Sequence, residues 1–350
     1  MARKTRRGRY DGAFDRRASL TDGAWGWRAS LDGPLVEWGP RRHLDGVRSS
    51  MIKTQALTKH YGRVRALTKV SLEVRKGEVF GLLGPNGSGK TTTIRLLLGL
   101  IRASSGGAEV AGFDCWRRSL EVRRRVSYLP GEVRLPGGLR GEEVLRYLCA
   151  LRGNTGLERA QALADRLLEL DLRRRVRTYS TGMKQKLALA VTFADPVEIL
   201  ILDEPTSALD PSARNVVLDL VAQARQAGQT VIFSGHVLPE VEQVADRVAI
   251  MRLGRLMHVE DMHERRRNLR LLLLRFEGKP PETLPEGLEL SVRERNGEVL
   301  LLEHRGAAGP LLAWLASQPV VDLAIGTEDL RTLYDTYHGP NAVPDPEEVA

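Results

Sequence analysis

One short segment near position 85 constrains the fold more than any other part of the chain. It is rich in glycine and closes on a lysine and a threonine, and it reads Gly84-Pro85-Asn86-Gly87-Ser88-Gly89-Lys90-Thr91. Glycine permits positive φ angles and close backbone approaches that a side chain would block. An apolar stretch at 78–83, predicted to be a buried strand, precedes the segment, and a predicted helix at 92–98 follows it. This order predicts a loop whose N–H groups bind the phosphates of a nucleotide.

The composition is that of a globular protein. A length of 350 residues allows about two domains. The longest apolar run falls well short of the ~18 residues that cross a bilayer, and the N-terminal region lacks the apolar stretch of a signal peptide. The cysteines, Cys115 and Cys149, have neither metal-ligand spacing nor the density of a disulfide framework. We therefore expect a cytoplasmic protein that reaches a membrane only through a partner.

The charge is concentrated at the N-terminus. The chain carries a net charge of +9, and residues 1–50, with 11 Lys and Arg against 6 Asp and Glu, account for +5 of it. The remaining +4 is ordinary for a soluble domain and gives no reason to expect a specific nucleic-acid partner. Residues 1–50 show no helical or strand period, which predicts a disordered extension or translated upstream sequence. A basic arm that contacts lipid or nucleic acid is the alternative.

Beyond Met51 the pattern changes to strands that alternate with helical stretches. This alternation predicts a layered α/β domain over 51–260, interrupted by a helical subdomain at about 134–180. Three apolar strands, predicted to end at Leu83, Leu202 and Ser234, run directly into polar loops. Loops at the carboxyl ends of strands form the ligand crevice in open α/β sheets.

After the charged run at 264–267 the composition changes again. Strands are predicted at 270–276, 288–293, 298–303 and 320–325, and helices at 311–317 and 328–337. Together they predict a small α+β accessory domain at 265–338, followed by an exposed tail at 339–350.

A pair of carboxylates follows the buried strand predicted at 199–202. Asp203 and Glu204 emerge at its end, where they could simply cap the next helix. Beside a phosphate-binding loop, Asp203 is placed to hold Mg²⁺ through water. Glu204 is placed to polarise the water that attacks the γ-phosphate. The loop and the carboxylate pair together are far more specific than either alone.

A third motif opens a predicted helix, in Tyr179-Ser180-Thr181-Gly182-Met183. Ser180 is a natural helix N-cap and could do only that. The same geometry, a hydroxyl beside free N–H groups, also forms an anion site that suits a γ-phosphate.

These motifs, followed by Ser207-Ala208-Leu209-Asp210 and by His236, occur in the order of the nucleotide-binding domain of ABC transporters, which the chain resembles over about 52–260. The resemblance implies a P-loop NTPase of the ABC type, with a mixed α/β sheet core, an antiparallel β part and the inserted helical subdomain. It implies ATP as ligand, Mg²⁺ as cofactor and ATP hydrolysis as activity.

The resemblance also implies a set of site residues. Lys90, Glu204 and His236 are the expected catalytic residues, with Lys90 on the β- and γ-phosphates and His236 on the γ-phosphate. Tyr61 resembles the aromatic residue that stacks on adenine, although it could equally be a packing residue. The expected metal ligands are Thr91, Asp203 and Glu132. The expected nucleotide-binding residues are Tyr61, Gly84, Pro85, Asn86, Gly87, Ser88, Gly89, Lys90, Thr91, Thr92, Ser180, Gly182 and Asp210.

Two positions depart from the family pattern. Gly131 stands where the family has a glutamine that senses Mg²⁺ and the partner, and Glu132 comes next. Glu132 is the candidate substitute because a carboxylate can also reach Mg²⁺ or its water. Thr181 and Met183 replace the commonest glycine and glutamine, while Ser180 and Gly182 are retained.

The family further implies partners. Two such domains meet head to tail, as a homodimer or with a second ATPase subunit, and a separately encoded integral-membrane permease binds them at the inner face of the cell membrane. The C-terminal pattern Thr327-Glu328-Asp329-Leu330, with Leu333, Tyr334 and Tyr337, resembles exporter ATPases of the daunorubicin-resistance type. It could also be only a capped amphipathic helix. We expect an exporter of drug-like or lipid-like compounds. The rival classes are an ABC protein acting on ribosomes or DNA, and a regulatory module with weak turnover.

Overall fold

Residues 49–153, 156–167 and 169–326 are described by a computed structural model of the chain. The predicted extension up to residue 48, the predicted helix at 328–337, the C-terminal pattern that begins at Thr327 and the tail lie outside these ranges.

Strands and helices alternate through the first two thirds of the described chain. The strands are β1 Ser50–Tyr61, β2 Val64–Val70, β3 Glu73–Arg75, β4 Val79–Leu83, β5 Ser105–Val110, β6 Phe113–Asp114, β7 Val126–Leu129, β8 Ile199–Asp203, β9 Thr230–Gly235, β10 Arg247–Arg252, β11 Arg255–Asp261, β12 Leu269–Phe276, β13 Leu290–Asn296, β14 Val299–Arg305 and β15 Val320–Gly326. The helices are α1 Lys90–Leu97, α2 Ser119–Arg125, α3 Gly141–Ala150, α4 Leu157–Ala162, α5 Thr181–Ala194, α6 Pro211–Gln226, α7 Leu238–Val244, α8 Met262–Asn268 and α9 Ala308–Ala316. A π-helical turn at Leu163–Leu167 and a 3₁₀ turn at Val176–Thr178 lie between α4 and α5.

A six-stranded sheet forms the centre, in the order β11-β10-β4-β9-β8-β7. Its five strands from β10 to β7 run parallel, and β11 pairs antiparallel at the edge. Every residue of β4 and β8 is buried, as expected for parallel strands that are covered on both faces. A second, antiparallel sheet has the order β2-β1-β5-β6, with β3 also paired to β1. This mixed architecture confirms the predicted α/β fold.

The register of the central sheet brings three chemically important strand ends together. Leu83 pairs with Gly235 across β4 and β9, and Asp203 pairs with Ser234 across β8 and β9. Because these strands are parallel, their carboxyl ends open at one edge of the sheet.

The helical insert packs against α5. Apolar residues of α3, α4 and the two turns share one buried cluster with α5 and with β7 and β8. The insert was predicted from residue 134, but its first helix begins only at Gly141. The preceding stretch, 130–140, has no helical turn, because it carries two prolines and three glycines, at positions 130, 131, 136, 137 and 138.

A third sheet, β13-β14-β12-β15, is antiparallel throughout. Helix α9 covers one of its faces, where Leu272, Leu274 and Phe276 of β12 are buried with Leu311 and Leu315 of α9. None of the helices in the described ranges is long and apolar enough to span a membrane.

Several element ends differ from the sequence prediction by two or three residues. Helix α1 begins at Lys90 instead of residue 92, because the left-handed Gly89 is its N-cap. Strand β13 begins at Leu290 instead of residue 288, because Gly287 and Glu289 have positive φ angles that interrupt an extended chain. The domain boundaries stay predictions.

The run of four leucines in β12 gives a matched test of the third sheet. Leu274 is fully buried under α9, whereas its neighbour Leu273 is 47% exposed on the other face. We expect Leu274→Ala to cost about 2–5 kcal/mol of unfolding free energy, the range for truncating a buried leucine. Leu273→Ala should cost less than about 1 kcal/mol. Urea unfolding followed through the third-sheet transition measures both, and equal losses would show that the two faces are packed alike.

Candidate nucleotide site

The phosphate loop, residues Gly84–Thr91, adopts a conformation that only glycine allows at several positions. Gly87 and Gly89 have φ angles of 82° and 105°, a region that residues with a Cβ rarely adopt. A Cβ at Gly89 would lie 2.7 Å from Cδ2 of Leu67, and one at Gly84 would overlap the carbonyl oxygen of Met251. The tip, formed by Pro85, Asn86 and Gly87, is exposed. The loop is therefore a pre-shaped, open cradle of backbone groups.

Lys90 is folded back on this loop. Its Nζ donates to the carbonyl oxygens of Gly84 at 2.7 Å and Pro85 at 3.2 Å, and it lies 3.6 Å from Oε1 of Glu204. The side chain is only 5% exposed. Burial lowers the pKa of Lys90, while the carboxylates of Glu204 and Asp203 oppose that shift. The ammonium is thus held beside the loop by contacts that the phosphate oxygens of a nucleotide could replace.

Hydroxyl groups line the start of α1. The hydroxyl of Ser88 is buried and has no hydrogen-bond partner among the described residues, whereas that of Thr93 donates to the carbonyl of Gly89 at 3.0 Å. Thr91 and Thr92 are half-buried in the first turn, where helix geometry leaves backbone N–H groups without an intrahelical partner. The unsatisfied hydroxyl and these N–H groups fit an anionic ligand at the helix N-terminus.

Glu204 lies between two cationic or protonatable groups. Its Oε1 is 3.6 Å from Nζ of Lys90, and its Oε2 is 3.6 Å from Nδ1 of His236. Its φ angle of 48° is left-handed, which for a residue with a side chain costs about 1 kcal/mol or more. The structure thus brings the three predicted catalytic residues together at the edge where β8 and β9 end.

Asp203, one residue earlier, faces the same place and is 1% exposed. Its Oδ1 accepts a hydrogen bond of 2.6 Å from the hydroxyl of Ser234 on the neighbouring strand β9. That hydroxyl in turn accepts from the backbone N–H of Glu204 at 3.1 Å. From the sequence, Ser234 was predicted only as the end of a strand. A hydroxyl directly before a predicted site loop is the signal that could have identified it.

Tyr61 lies at the end of β1, on the antiparallel sheet. Its ring is 45% exposed, and Nζ of Lys59 lies 5.0 Å from the ring centre. An exposed ring flanked by a cation suits stacking on a nucleotide base better than it suits core packing, so the stacking role stays the prediction.

Ser180 is the N-cap of α5, and its hydroxyl accepts from the N–H of Met183 at 3.2 Å. A Cβ at Gly182 would lie 2.6 Å from the carbonyl oxygen of Ala208, so this turn also needs glycine. Asp210 caps α6 by accepting from Ala213 at 2.9 Å, and it pairs with Lys186 at 3.3 Å. The Ala213 hydrogen bond and then Lys186 lower the pKa of Asp210.

Ser180, Gly182 and Asp210 are not grouped with the phosphate loop. Helix α5 packs against β7, which lies three strands from β4 in the sheet. Among the described residues, no hydrogen bond or ion pair joins these three residues to the phosphate loop. Two contacts that were not predicted connect α5 to the loop at 204–210, which follows β8. The amide of Gln185 donates to the carbonyl of Pro205 at 3.1 Å, and Lys186 pairs with Asp210.

Gly131 and Glu132 lie on the loop after β7. A Cβ at Gly131 would lie 3.7 Å from Oδ2 of Asp203, so this position borders the candidate metal ligand. The carboxylate of Glu132 instead binds the guanidinium of Arg134 at 3.0–3.2 Å and is 77% exposed. Glu132 as a metal ligand stays a prediction, and it requires the carboxylate to leave Arg134.

The donors fit Mg²⁺ that is held jointly with a nucleotide. The described residues contain no group of three or more His, Cys, Asp or Glu that could hold a metal by itself. Protein Mg²⁺ sites commonly use one or two oxygen ligands together with substrate phosphates and waters. The carboxylate of Asp203 and the hydroxyl of Thr91 are oxygen donors of this kind.

An experiment can distinguish a glycine whose position has room for a Cβ, Gly131, from one whose position has none, Gly89. We expect Gly131→Ala to change stability by less than about 1 kcal/mol, because a Cβ there makes only ordinary contacts and the φ angle is not positive. Gly89→Ala should cost more than about 1 kcal/mol and abolish nucleotide binding. Thermal unfolding and titration with a fluorescent ATP analogue measure both effects. A Gly131→Ala variant as damaged as Gly89→Ala would contradict the described loop.

Known proteins resemble this chain in both sequence and fold. The family model for the ABC transporter matches residues 67–207. The linearmycin resistance ATP-binding protein LnrL of Bacillus subtilis (strain 168) is 33% identical over 60% of this chain and 68% of its own length. The daunorubicin/doxorubicin resistance ATP-binding protein DrrA of Streptomyces peucetius is 40% identical over 59% of this chain and 64% of its own length. The bacitracin transport ATP-binding protein BcrA of Bacillus licheniformis is 32% identical over 75% of this chain and 88% of its own length.

Two solved structures have the same fold. A structure of the ATP-binding subunit of an ABC transporter superposes with a TM-score of 0.57 at 28% identity, covering 62% of this chain and 92% of the other. The dimeric, post-hydrolysis ATP-binding cassette MJ0796 bound to ADP and Pi superposes with a TM-score of 0.56 at 22% identity. The match covers 61% of this chain and 99% of the other. The matches to LnrL and DrrA span about two thirds of those relatives, and the match to BcrA spans most of it. The chain therefore belongs to the ABC transporter family, as an ATP-binding subunit of the ABC-type ATPases.

Proposed function

We propose that this protein is the ATP-hydrolysing subunit of a transporter, that it dimerises when it binds ATP, and that it drives a separately encoded integral-membrane permease. The observation that carries the proposal is the position of Glu204, between Lys90 and His236 and beside the phosphate loop. A carboxylate in this position can accept a proton from a water molecule that attacks the γ-phosphate.

The residues act in a defined sequence in this proposal. The backbone N–H groups of the phosphate loop and the first turn of α1 bind the phosphates. Lys90 exchanges its loop carbonyls for phosphate oxygens and moves its charge towards them. Glu204 is then free to take a proton from the attacking water while the bond from the γ-phosphorus to the leaving ADP oxygen breaks. His236, 3.6 Å from Glu204, holds that carboxylate and contacts the γ-phosphate.

Mg²⁺ would be held by Thr91 directly and by Asp203 through water, with Glu132 as a further candidate ligand. The ion supplies Lewis-acid neutralisation of the phosphate charge when it is bound. Asp203 is suited to this role because it is nearly fully buried at the end of β8.

The proposal includes a head-to-tail dimer. The phosphate loop follows β4, whereas the Ser180 turn opens α5, which packs against β7, three strands away in the sheet. No hydrogen bond or ion pair of the described residues joins the two motifs within one chain. A second cassette, identical or from another ATPase subunit, supplies the missing half, and the dimeric state of the MJ0796 cassette supports this arrangement.

The transported compound is proposed to be drug-like or lipid-like and to be exported. The support is the wording of the relatives' names, which refer to resistance to daunorubicin and linearmycin and to bacitracin transport. The permease would hold the protein at the inner face of the cell membrane.

Glu204 is the residue whose replacement tests the catalytic proposal. We expect Glu204→Gln to lower the rate of ATP hydrolysis about 10²–10⁴-fold, because the amide cannot accept the proton, and to retain ATP binding and accumulate dimer. The matched control is Glu198→Gln, which removes a carboxylate directly before β8, at the end of the strand opposite to Glu204. This variant should hydrolyse ATP like the wild type. Phosphate release and size-exclusion chromatography with ATP provide the measurements. Equal rates for the wild type and Glu204→Gln in the presence of the permease would overturn the proposal.

The composite site can be tested with mixed dimers of two differently tagged copies. If Glu204 and the Ser180 of the opposite chain serve the same nucleotide, then Glu204→Gln in one copy and Ser180→Arg in the other damage one site and leave one intact. Both changes in the same copy, paired with a wild-type copy, damage both sites. We expect the first mixture to retain about half of the single-turnover hydrolysis and the second to retain a few per cent, on the order of the general-base loss. The same activity in both mixtures would exclude the head-to-tail arrangement.

A further inference from the structure

The end of β9 contains a buried side chain to which neither the sequence nor the catalytic proposal gives a role. Ser234 has no solvent exposure. It lies directly opposite Asp203 in the parallel pairing of β8 and β9, two residues before His236. Its hydroxyl is within hydrogen-bond distance of both carboxylate-bearing residues at the end of β8.

The hydrogens of this group can be assigned from its partners. The backbone N–H of Glu204 can only donate, so at 3.1 Å the Ser234 hydroxyl accepts from it. The hydroxyl proton is then available to Asp203, whose Oδ1 lies at 2.6 Å. A hydrogen bond to an ionised carboxylate is short and roughly twice as strong as a neutral one. One hydroxyl therefore links the side chain of Asp203 to the main chain of Glu204.

The surroundings increase the importance of this link. A Cβ at Gly131 would lie 3.7 Å from Oδ2 of Asp203, but glycine has no side chain that could hold the carboxylate. Tyr128, on β7, is a neutral neighbour, because burial first and the charge of Asp203 second raise the pKa of its phenol to about 12. Glu204 keeps a second acceptor for its N–H in the carbonyl oxygen of Ser234 at 3.2 Å. Loss of the hydroxyl would thus affect Asp203 more than Glu204.

We propose that Ser234 is a positioning residue that holds the Asp203 carboxylate in the orientation that binds the metal of the nucleotide site. The proposal rests on the function proposed above. Ser234 touches neither nucleotide nor metal and acts only through Asp203. Outer-shell hydrogen bonds of this type commonly change metal affinity 10–100-fold.

The matched test uses Ser234→Thr and Ser234→Val, which have nearly the same volume and differ in the hydroxyl. Both are made in the Glu204→Gln background, so that no nucleotide is consumed. Mn²⁺ replaces Mg²⁺, and its affinity for the protein with bound ATP is measured by electron paramagnetic resonance. We expect the valine variant to bind Mn²⁺ about tenfold or more weakly than the serine parent and the threonine variant to stay within about threefold of it. ATP affinity in EDTA should be the same in all three.

Each result decides the proposal. Equal Mn²⁺ affinity of the valine and threonine variants would overturn it, as would a loss of metal-free ATP binding specific to valine, which would indicate a general packing defect. If the extra methyl group prevents both from folding, Ser234→Ala is compared with the parent, and a tenfold weaker Mn²⁺ affinity with unchanged thermal unfolding is expected. Hydrolysis by Glu204→Gln at the wild-type rate would refute the catalytic proposal, and Mn²⁺ binding measured with a non-hydrolysable ATP analogue would then still test the role of Ser234.

Discussion

A buried cation sets the conditions for the rest of the site. An ammonium group that is 5% exposed is stable only where oxygen atoms surround it, and Lys90 finds them in two loop carbonyls and in Glu204. The loop must therefore curl around its own lysine, which requires glycine at the tight positions. Strand β8 must also end beside β4 and β9, close enough for Glu204 to reach. The shape of the loop and the order of the strands thus both place oxygen atoms around the ammonium group of Lys90.

Polar contacts, in addition to apolar packing, connect the Ser180 helix to the loop that carries Glu204. Helix α5 carries the Ser180 turn, and its Gln185 and Lys186 bind the loop that follows Glu204. In the dimer proposed above, α5 serves the nucleotide of the other chain while it contacts the catalytic loop of its own. A movement at one composite site would therefore be transmitted to the other through a few hydrogen bonds and one ion pair.

The sequence was sufficient for the parts of the fold that rest on local geometry. The glycines of the phosphate loop and the apolar strand before Asp203 specify their own conformation, so the fold class was predicted. The grouping of Lys90, Glu204 and His236 was implied by the resemblance to the ABC family. Contacts between distant segments were not predicted. The hydroxyl of Ser234 marks a possible site residue but does not show that it faces Asp203. The ion pair of Glu132 with Arg134 joins residues only two positions apart, but it forms only with one path of their loop. Both depend on the pairing of strands or on the path of a loop, which a single sequence does not encode as a pattern.

The leucines of β12 have a consequence for how the third sheet assembles. Leu271 to Leu274 present the same side chain to both faces, so hydrophobicity alone does not distinguish this alignment from one shifted by a single residue. Such a slip would carry Arg275 to the face beneath α9 and separate it from Asp322 on β15. It would also remove Arg270 from the carbonyl of Gly306. The contacts of the two arginines that flank the apolar run therefore favour the observed register over the shifted one.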